Sequence, residues 1–451
     1  MINAPRILLP AVANSVRILA SLVAVVLLSI SVRLGDGTGS PAAVAWLAVA
    51  LVALLIASVG RPRVAVSGRA VAIAIIAALV ALVAIHLIRP PTVIGKVAPA
   101  ALPALAGMVI AVALSATVGM LLPRRSSLLV LTIVMSGGIF AWVWTIRATP
   151  SVYNDVIAFH RAAAGALRHG ENSYATPMPD VYGPASKFYA PGMVRDGHLQ
   201  NGYVYPPIPL LLATIGDALG DVRWMLVPAG GLTAALIALC RRSTRATAAA
   251  ALFLIAAPNF FVLPLGYTDI YLAAAFAAVC FCATRFPRAT PIALGVMLAT
   301  KQYALMLLPI VPLLIPPPWT PRRVLRWLWP AALVAALLTL PPLLFDAPAY
   351  WRSMVGFHLQ QPFRADSLSF LPLIGESFRW LPLVMWMLCS ALTLRCCPRT
   401  PAGFAIATAL LVTAFFAFSH QAFANYYFFA IAAACCAIAA EPTPTSPAPP
   451  R

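Results

Sequence analysis

The chain has 451 residues, 62% hydrophobic and only 10% charged, with a formal net charge of +19 and a mean hydropathy of +0.90. Apolar runs of roughly 18 to 22 residues recur along it, each about long enough to cross a bilayer core. A soluble globular core is excluded. So is a membrane barrel, because the runs are too long for barrel strands, which leaves helices as the way to pair the backbone in lipid. The expected fold is all-α, a polytopic integral membrane protein of about 12–14 transmembrane helices. The positive charge does not imply nucleic acid: Lys and Arg fall in short clusters between apolar runs, as topology signals do, with no long basic tract.

In chain order, the first apolar run follows Arg6, is interrupted by Arg17 and is soon succeeded by further spans, so it reads as an uncleaved first helix. Helices are expected near 8–32, 41–60, 70–88, 100–122 and 127–146. With a cytoplasmic N-terminus these put Arg61, Arg63, Arg69, Arg124 and Arg125 inside and the polar segment 148–205 outside. The charges of that segment nearly cancel, Asp155, Glu171, Asp180 and Asp196 against Arg161, Arg168, Lys187 and Arg195, which suits a translocated loop.

Later basic clusters, Arg241 to Arg245, Arg285 and Arg288, Arg322 to Arg326, and Arg395 and Arg399, all ask to be cytoplasmic. Asp269, Lys301, the loop 346–378 and the string His420 to Asn425 then fall on the same outer side as Asp155. Parity allows a single crossing between 205 and 240, yet two apolar runs occur there, so one is expected to be re-entrant, interfacial or kinked. Residues 289–316 hold two short arms around Lys301, either a short hairpin or a helix whose lysine faces a wet cavity. Residues 441–451, rich in Pro and Thr without periodicity, read as a disordered cytoplasmic tail. All eight cysteines lie in or at the ends of apolar runs, with neither a disulfide framework nor a zinc-ligand spacing.

Asp155 opens a stretch whose apolar positions Val156, Ile157, Phe159, Ala162, Ala163 and Leu167 suggest an amphipathic interfacial helix. A carboxylate at that boundary can serve as a general base toward a hydroxyl, or merely cap the helix beside it, and periodicity does not choose. Tyr174, in a Gly-Glu-Asn-Ser-Tyr turn, and Tyr205, before Pro206-Pro207, offer rings to a carbohydrate or to the interfacial aromatic belt. Lys301, alone in an apolar stretch, needs an anionic partner: a ligand phosphate, or an internal acid such as Asp269. His358, Arg364, His420, Gln421, Asn425 and Tyr426 join them on that side, and Arg364 can grip phosphate bidentately. No phosphate loop, metalloprotease motif or nucleotide-binding domain is present in the sequence, which favours a membrane-soluble donor.

These strings together resemble a known family. Asn154-Asp155, Gly-Glu-Asn-Ser-Tyr174, Tyr205-Pro-Pro, Gly266-Tyr-Thr-Asp269, Lys301 in Ala-Thr-Lys-Gln-Tyr, and Gln421-Ala-Phe-Ala-Asn425-Tyr-Tyr resemble polytopic glycosyltransferases of the GT-C superfamily, and most of all family 87, the polyprenyl-phosphate-mannose-dependent mannosyltransferase-like proteins. The resemblance covers roughly residues 127 to 440, with about four extra helices in 1–126, and the Gly-Tyr-Thr-Asp turn departs from the usual Gly-Gln. It implies a GT-C-like core with outer loops 148–205 and 346–378 in the plasma (inner) membrane. It also implies inverting transfer of mannose or another hexose or pentose from a polyprenyl phosphate carrier to a glycan or glycolipid hydroxyl on the outer face. Asp155 takes the place of the general base, with Lys301 and Arg364 toward the donor phosphate. Tyr174, Tyr205, Asp269, His358, His420, Gln421, Asn425 and Tyr426 are the expected substrate-binding residues. No cofactor is called for; the superfamily allows a divalent metal, but no acidic pair beside Asp155 has ligand spacing. The rival function is a transporter or flippase of a lipid-linked or anionic substrate, for which an intramembrane lysine and proline-kinked helices also speak. A non-catalytic scaffold is the third.

Overall fold

A computed structural model describes residues 9–60, 67–122, 127–183 and 187–442. Arg6, Arg61, Arg63, Arg124, Arg125 and residues 443–451 of the expected tail lie outside the described residues.

The chain is an all-α polytopic membrane protein. Among the described residues eight helices are long and apolar enough to cross a membrane, and five shorter apolar helices accompany them. The N-terminal group is α1 (Leu9–Leu34), α2 (Pro41–Val59), α3 (Gly68–Ile88), α4 (Thr92–Val97), α5 (Leu102–Leu121) and α6 (Ser127–Ala148). Then come α7 (Asp155–Arg168), strands β1 (Met178–Pro179), β2 (Val194–Arg195) and β3 (His198–Leu199), and α8 (Pro207–Ala218), α9 (Leu226–Arg241), α10 (Thr244–Ile255), α11 (Asn259–Val262), α12 (Asp269–Arg285) and α13 (Thr290–Leu298). A 3-10 stretch, Gln302–Leu313, leads to α14 (Pro321–Phe345), α15 (Ala347–Trp351), α16 (Phe357–Leu359), α17 (Leu371–Ile374), α18 (Leu381–Cys396), α19 (Pro401–Ala417) and α20 (Ala424–Ala440).

At the centre α10, α19 and α20 are almost wholly buried. Their alanines let backbones approach closely, which is how helices associate in lipid, where no hydrophobic force separates protein from solvent. At the periphery α14 buries only Ala331, and Leu325, Trp329, Leu337 and Leu344 face outward, as a lipid-facing helix requires. Close approach fixes Gly230 in α9: a Cβ there would stand 1.8 Å from the Trp142 ring of α6.

The helix α10 stops short, and three other helices complete it. Its orphan carbonyls are met by side chains: Trp142 donates to Leu254 O (3.1 Å) and His86 approaches Ile255 O (2.8 Å). Just beyond, Arg33 donates to Ala257 O (3.1 Å). Unpaired terminal carbonyls in lipid would be costly, so α1, α3 and α6 are built into the core rather than layered onto it. At the other end Glu441, 1% exposed, pairs with Arg17 and its carbonyl accepts from Arg245. Glu441 therefore belongs to the packed body, not to the expected tail: a buried carboxylate is tolerable only with such partners.

Of the two runs between 205 and 240, α8 is the shorter. Its 12 residues rise only about 18 Å, and it packs on α7, while α9 runs for 16 residues. Around Lys301 the hairpin alternative holds. The nine residues of α13 lead up from Arg288, the helix breaks at Lys301 (φ −151°, ψ 138°), and the 3-10 stretch leads away. Lys301 comes level with Asp269 at the head of α12.

The long polar loop is a folded cap. Strands β1, β3 and β2 form a small antiparallel sheet in that order, with Leu199 opposite both Met178 and Val194. Beneath them Phe159, Tyr174, Tyr203, Leu210, Tyr350 and Phe357 make a second core that joins the cap to the segment after α14.

Candidate functional site

Asp155 is the first residue of α7, and Asn154 is its cap. The Asn154 Oδ1 accepts from Ile157 N (2.9 Å), the bond that satisfies an orphan N–H at the helix start. Asp155 is thus spared the structural role open to it. Its Oδ1 accepts from the Val156 N–H (2.9 Å), and the residue stays half-buried. Burial pushes its pKa above the usual carboxylate value, while a hydrogen bond from the Tyr182 hydroxyl, the Val156 N–H and the charge of Arg364 pull against that.

Arg364 forms a bidentate pair with Asp366 (Nε to Oδ1 2.7 Å, Nη2 to Oδ2 2.6 Å), which leaves its Nη1 edge. Its guanidinium stacks between the rings of Phe188 (4.1 Å) and Phe423 (4.8 Å). It is held in place by main-chain bonds that zip 364–370 against 417–422: Arg364 N to His420 O, Leu368 N to Ala422 O and Phe370 N to Ala417 O.

Below this, Asp269 is fully enclosed (0% exposed). Its carboxylate accepts from Lys301 Nζ (3.1 Å), Asn425 Nδ2 (3.1 Å) and Tyr303 OH (2.6 Å). Lys301 also donates to Thr268 Oγ1 (2.6 Å) and lies 4.7 Å from the centre of the Tyr205 ring. Tyr205 in turn stacks on His160 of α7. Burial pushes the His160 pKa down to about 3, so that ring stays neutral. Tyr203 sits 2.9 Å from its Nδ1.

The expected residues do converge at one end of the bundle, but in two layers. Asp155, Arg364, Tyr205, Tyr426, His358, His420 and Gln421 keep accessible surface. Gln421 donates to Pro362 O (2.8 Å), and Tyr426 stacks on Phe416. His358 Nε2 is 3.0 Å from the Gln302 amide, and burial holds its pKa down to about 4. Tyr174, Asp269 and Asn425 lie behind that surface. Tyr174 is 3% exposed and donates to Tyr205 O (3.1 Å), and Asn425 donates to the Asp269 carboxylate (3.1 Å), so the polar groups of these three are bonded to protein. Lys301 has the internal acid partner that the sequence left as one of two options.

No family model matches the chain, and no curated protein matches it. Among solved structures it is similar to ArnT from Cupriavidus metallidurans. With the form bound to undecaprenyl phosphate it shares 18% identity at a TM-score of 0.45 over 68% of this chain and 59% of that one. With the apo form the values are 18% and 0.46 over 70% and 60%. The chain thus spans less than two thirds of the length of the ArnT structures it matches.

Several residues at the site carry no signal that singled them out in the sequence. Tyr182 reaches Asp155 from the cap. Tyr267 and Tyr303 flank the Asp269 cluster, and only their place inside the motif strings hinted at them. Among the described residues no group of three or more His, Cys, Asp and Glu gathers as a metal site. Around Asp155 the named neighbours are tyrosines and an arginine, a setting for a proton acceptor beside an anion.

Proposed function

We propose that the chain is a membrane glycosyltransferase of the GT-C type that moves a sugar from a polyprenyl phosphate carrier to a hydroxyl of a glycan or glycolipid, with inversion, on the outer face of the plasma membrane. The observation that carries this is Asp155: a half-buried carboxylate, relieved of capping by Asn154, with a raised proton affinity and an arginine nearby. The motif strings from Asn154 to Tyr427 support it.

In the reaction Asp155 takes the proton of the acceptor hydroxyl as its oxygen forms a bond to the anomeric carbon. The bond from that carbon to the phosphate oxygen breaks, and polyprenyl phosphate leaves with the electron pair. General-base help of this kind contributes about 10²–10⁴-fold. Arg364 meets the departing phosphate through its Nη1 edge, a charge-assisted contact made stronger away from water. Lys301 acts from behind Tyr205, either through its field or by exchanging Asp269 for phosphate. Tyr205, Tyr426, His358, His420 and Gln421 line the sugar and acceptor positions. Mannose or another hexose or pentose suits such an aromatic and amide lining.

A transporter or flippase is the second reading, and the helix break at Lys301 is the observation in its favour. One experiment separates the two. Purified protein in lipid vesicles receives a radiolabelled polyprenyl-phosphate sugar and a membrane glycan extract. Transfer predicts label on the glycan with stoichiometric release of polyprenyl phosphate; label that changes leaflet with its carrier intact makes the protein a flippase.

A further inference from the structure

The hydrogen bonds of Arg223 go to Asp221, Thr149 and Pro264 rather than to the proposed lining, yet it is the most heavily bonded side chain near it. It lies between α8 and α9 and is 1% exposed. Its Nε and Nη2 hold Asp221 (2.9, 3.1 and 2.6 Å). Its Nη1 donates to Thr149 O (2.9 Å), Thr149 Oγ1 (3.2 Å) and Pro264 O (3.0 Å). Thr149 follows the end of α6 and leads into Asp155; Pro264 opens the turn that leads to Asp269.

A second rung lies alongside. Asn154 Nδ2 donates to Leu265 O (3.1 Å) while its Oδ1 caps α7. Between these rungs and Asp269 the chain turns at Gly266 (φ +75°), where a Cβ would stand 3.1 Å from Ile157 Cγ1 and 3.8 Å from Arg223 Cγ. The two segments that carry the carboxylates are thus pinned to each other by one guanidinium and one amide.

Building on the transferase reading, we infer that Arg223 is a positioning residue: its fork sets the distance between Asp155 and the Lys301–Asp269 cluster, and so between the base and the donor phosphate. Only a planar fork reaches a carboxylate and two carbonyls in fixed directions; an ammonium keeps the charge and loses the geometry. A misplacement of about 1 Å at a reacting group can cost about 10²-fold in rate.

The test uses the full-length protein in lipid, with Arg223→Lys and, as a milder second variant, Asn154→Ser, which keeps a capping oxygen but loses the bond to Leu265. Two readouts are taken. One is kcat and donor KM for transfer. The other needs no activity: carbodiimide labelling of Asp155 against pH, scored by peptide mass spectrometry, which reports the proton affinity of that carboxyl. The groups facing Asp155 are Tyr182, Tyr189, Tyr205, Tyr267 and Arg364, and none is altered by either variant.

The expected result for Arg223→Lys is a fall in kcat of about 10- to 100-fold with donor KM within a few-fold, and a labelling midpoint that drops toward the ordinary carboxylate value as Asp155 moves into water. Asn154→Ser should move both the same way by less. A variant that loses thermal stability but keeps both the kcat and the labelling midpoint of the wild type overturns the inference and leaves Arg223 an ordinary core ion. If wild type transfers no sugar at all, the transferase reading falls, and the labelling midpoint alone still decides whether Arg223 positions Asp155.

Discussion

Two carboxylates stand at the same end of this bundle, and their surroundings are opposite. Asp269 is sealed and accepts from a lysine, a tyrosine and an asparagine, so both of its oxygens are committed to holding α12, the Lys301 break and α20 together. Asp155 keeps accessible surface, and its bonds are its own helix's N–H and one tyrosine hydroxyl. A saturated acid is a fastener, while an under-satisfied one with a raised pKa is a proton acceptor in waiting. The contrast lies in the partners and in depth, not in side, since both residues share one end of the fold.

The largest expected effect breaks the comparison at its reactive half. Asp155→Asn should lower sugar transfer by about 10²–10⁴-fold without loss of folded protein. Because burial raises the Asp155 pKa above the usual 3.8, the folded state keeps that proton to higher pH than the unfolded chain does. Its negative charge therefore costs stability that sets in as pH climbs from the ordinary carboxylate range through the raised pKa. Asp155→Asn should accordingly raise the melting temperature at neutral pH, and the gain should vanish below about pH 4, as read by thermal denaturation across pH.

At the structural half, Asp269→Asn strands the Lys301 charge in the interior. It should cost about 3–5 kcal/mol of stability, seen as poor recovery of folded protein, and Lys301→Met on the same background should restore much of it. Next in size is Arg364→Met. Losing the charge that pulls the Asp155 pKa down should move the acid limb of the pH–rate profile to higher pH, a shift that a mere loss of donor affinity does not produce. Smallest is Tyr174→Phe, which removes one bond to Tyr205 O and should cost about 1 kcal/mol with transfer nearly unchanged, since that hydroxyl faces the cap's core.

Hydropathy and charge clusters made the helical membrane fold and its two irregular stretches legible, because lipid leaves so few backbone solutions. They also brought Asp155, Lys301, Arg364 and the Gln421 to Tyr427 string to one end. What the pattern could not sort was which of these face a ligand. Asn154 and Asp155 are adjacent, and only the observed bond to Ile157 N shows that the amide takes the cap. Likewise Asp269 and Lys301 could pair only after α13 returned the lysine to the head of α12. Arg223 carried no signal in the sequence, since the carbonyls it joins are 74 and 41 residues away. Glu441 was hidden for the same reason: Arg17 is 424 residues upstream.

The central claim is that Asp155, not Asp269, accepts the proton. Its most direct test is single-turnover transfer from a radiolabelled polyprenyl-phosphate sugar by wild type and Asp155→Asn, both shown to be folded by their melting curves and to bind donor equally. The account predicts that wild type releases polyprenyl phosphate with an acid limb above the ordinary carboxylate range, and that the variant releases almost none at any pH. Equal single-turnover rates for the two proteins would contradict it.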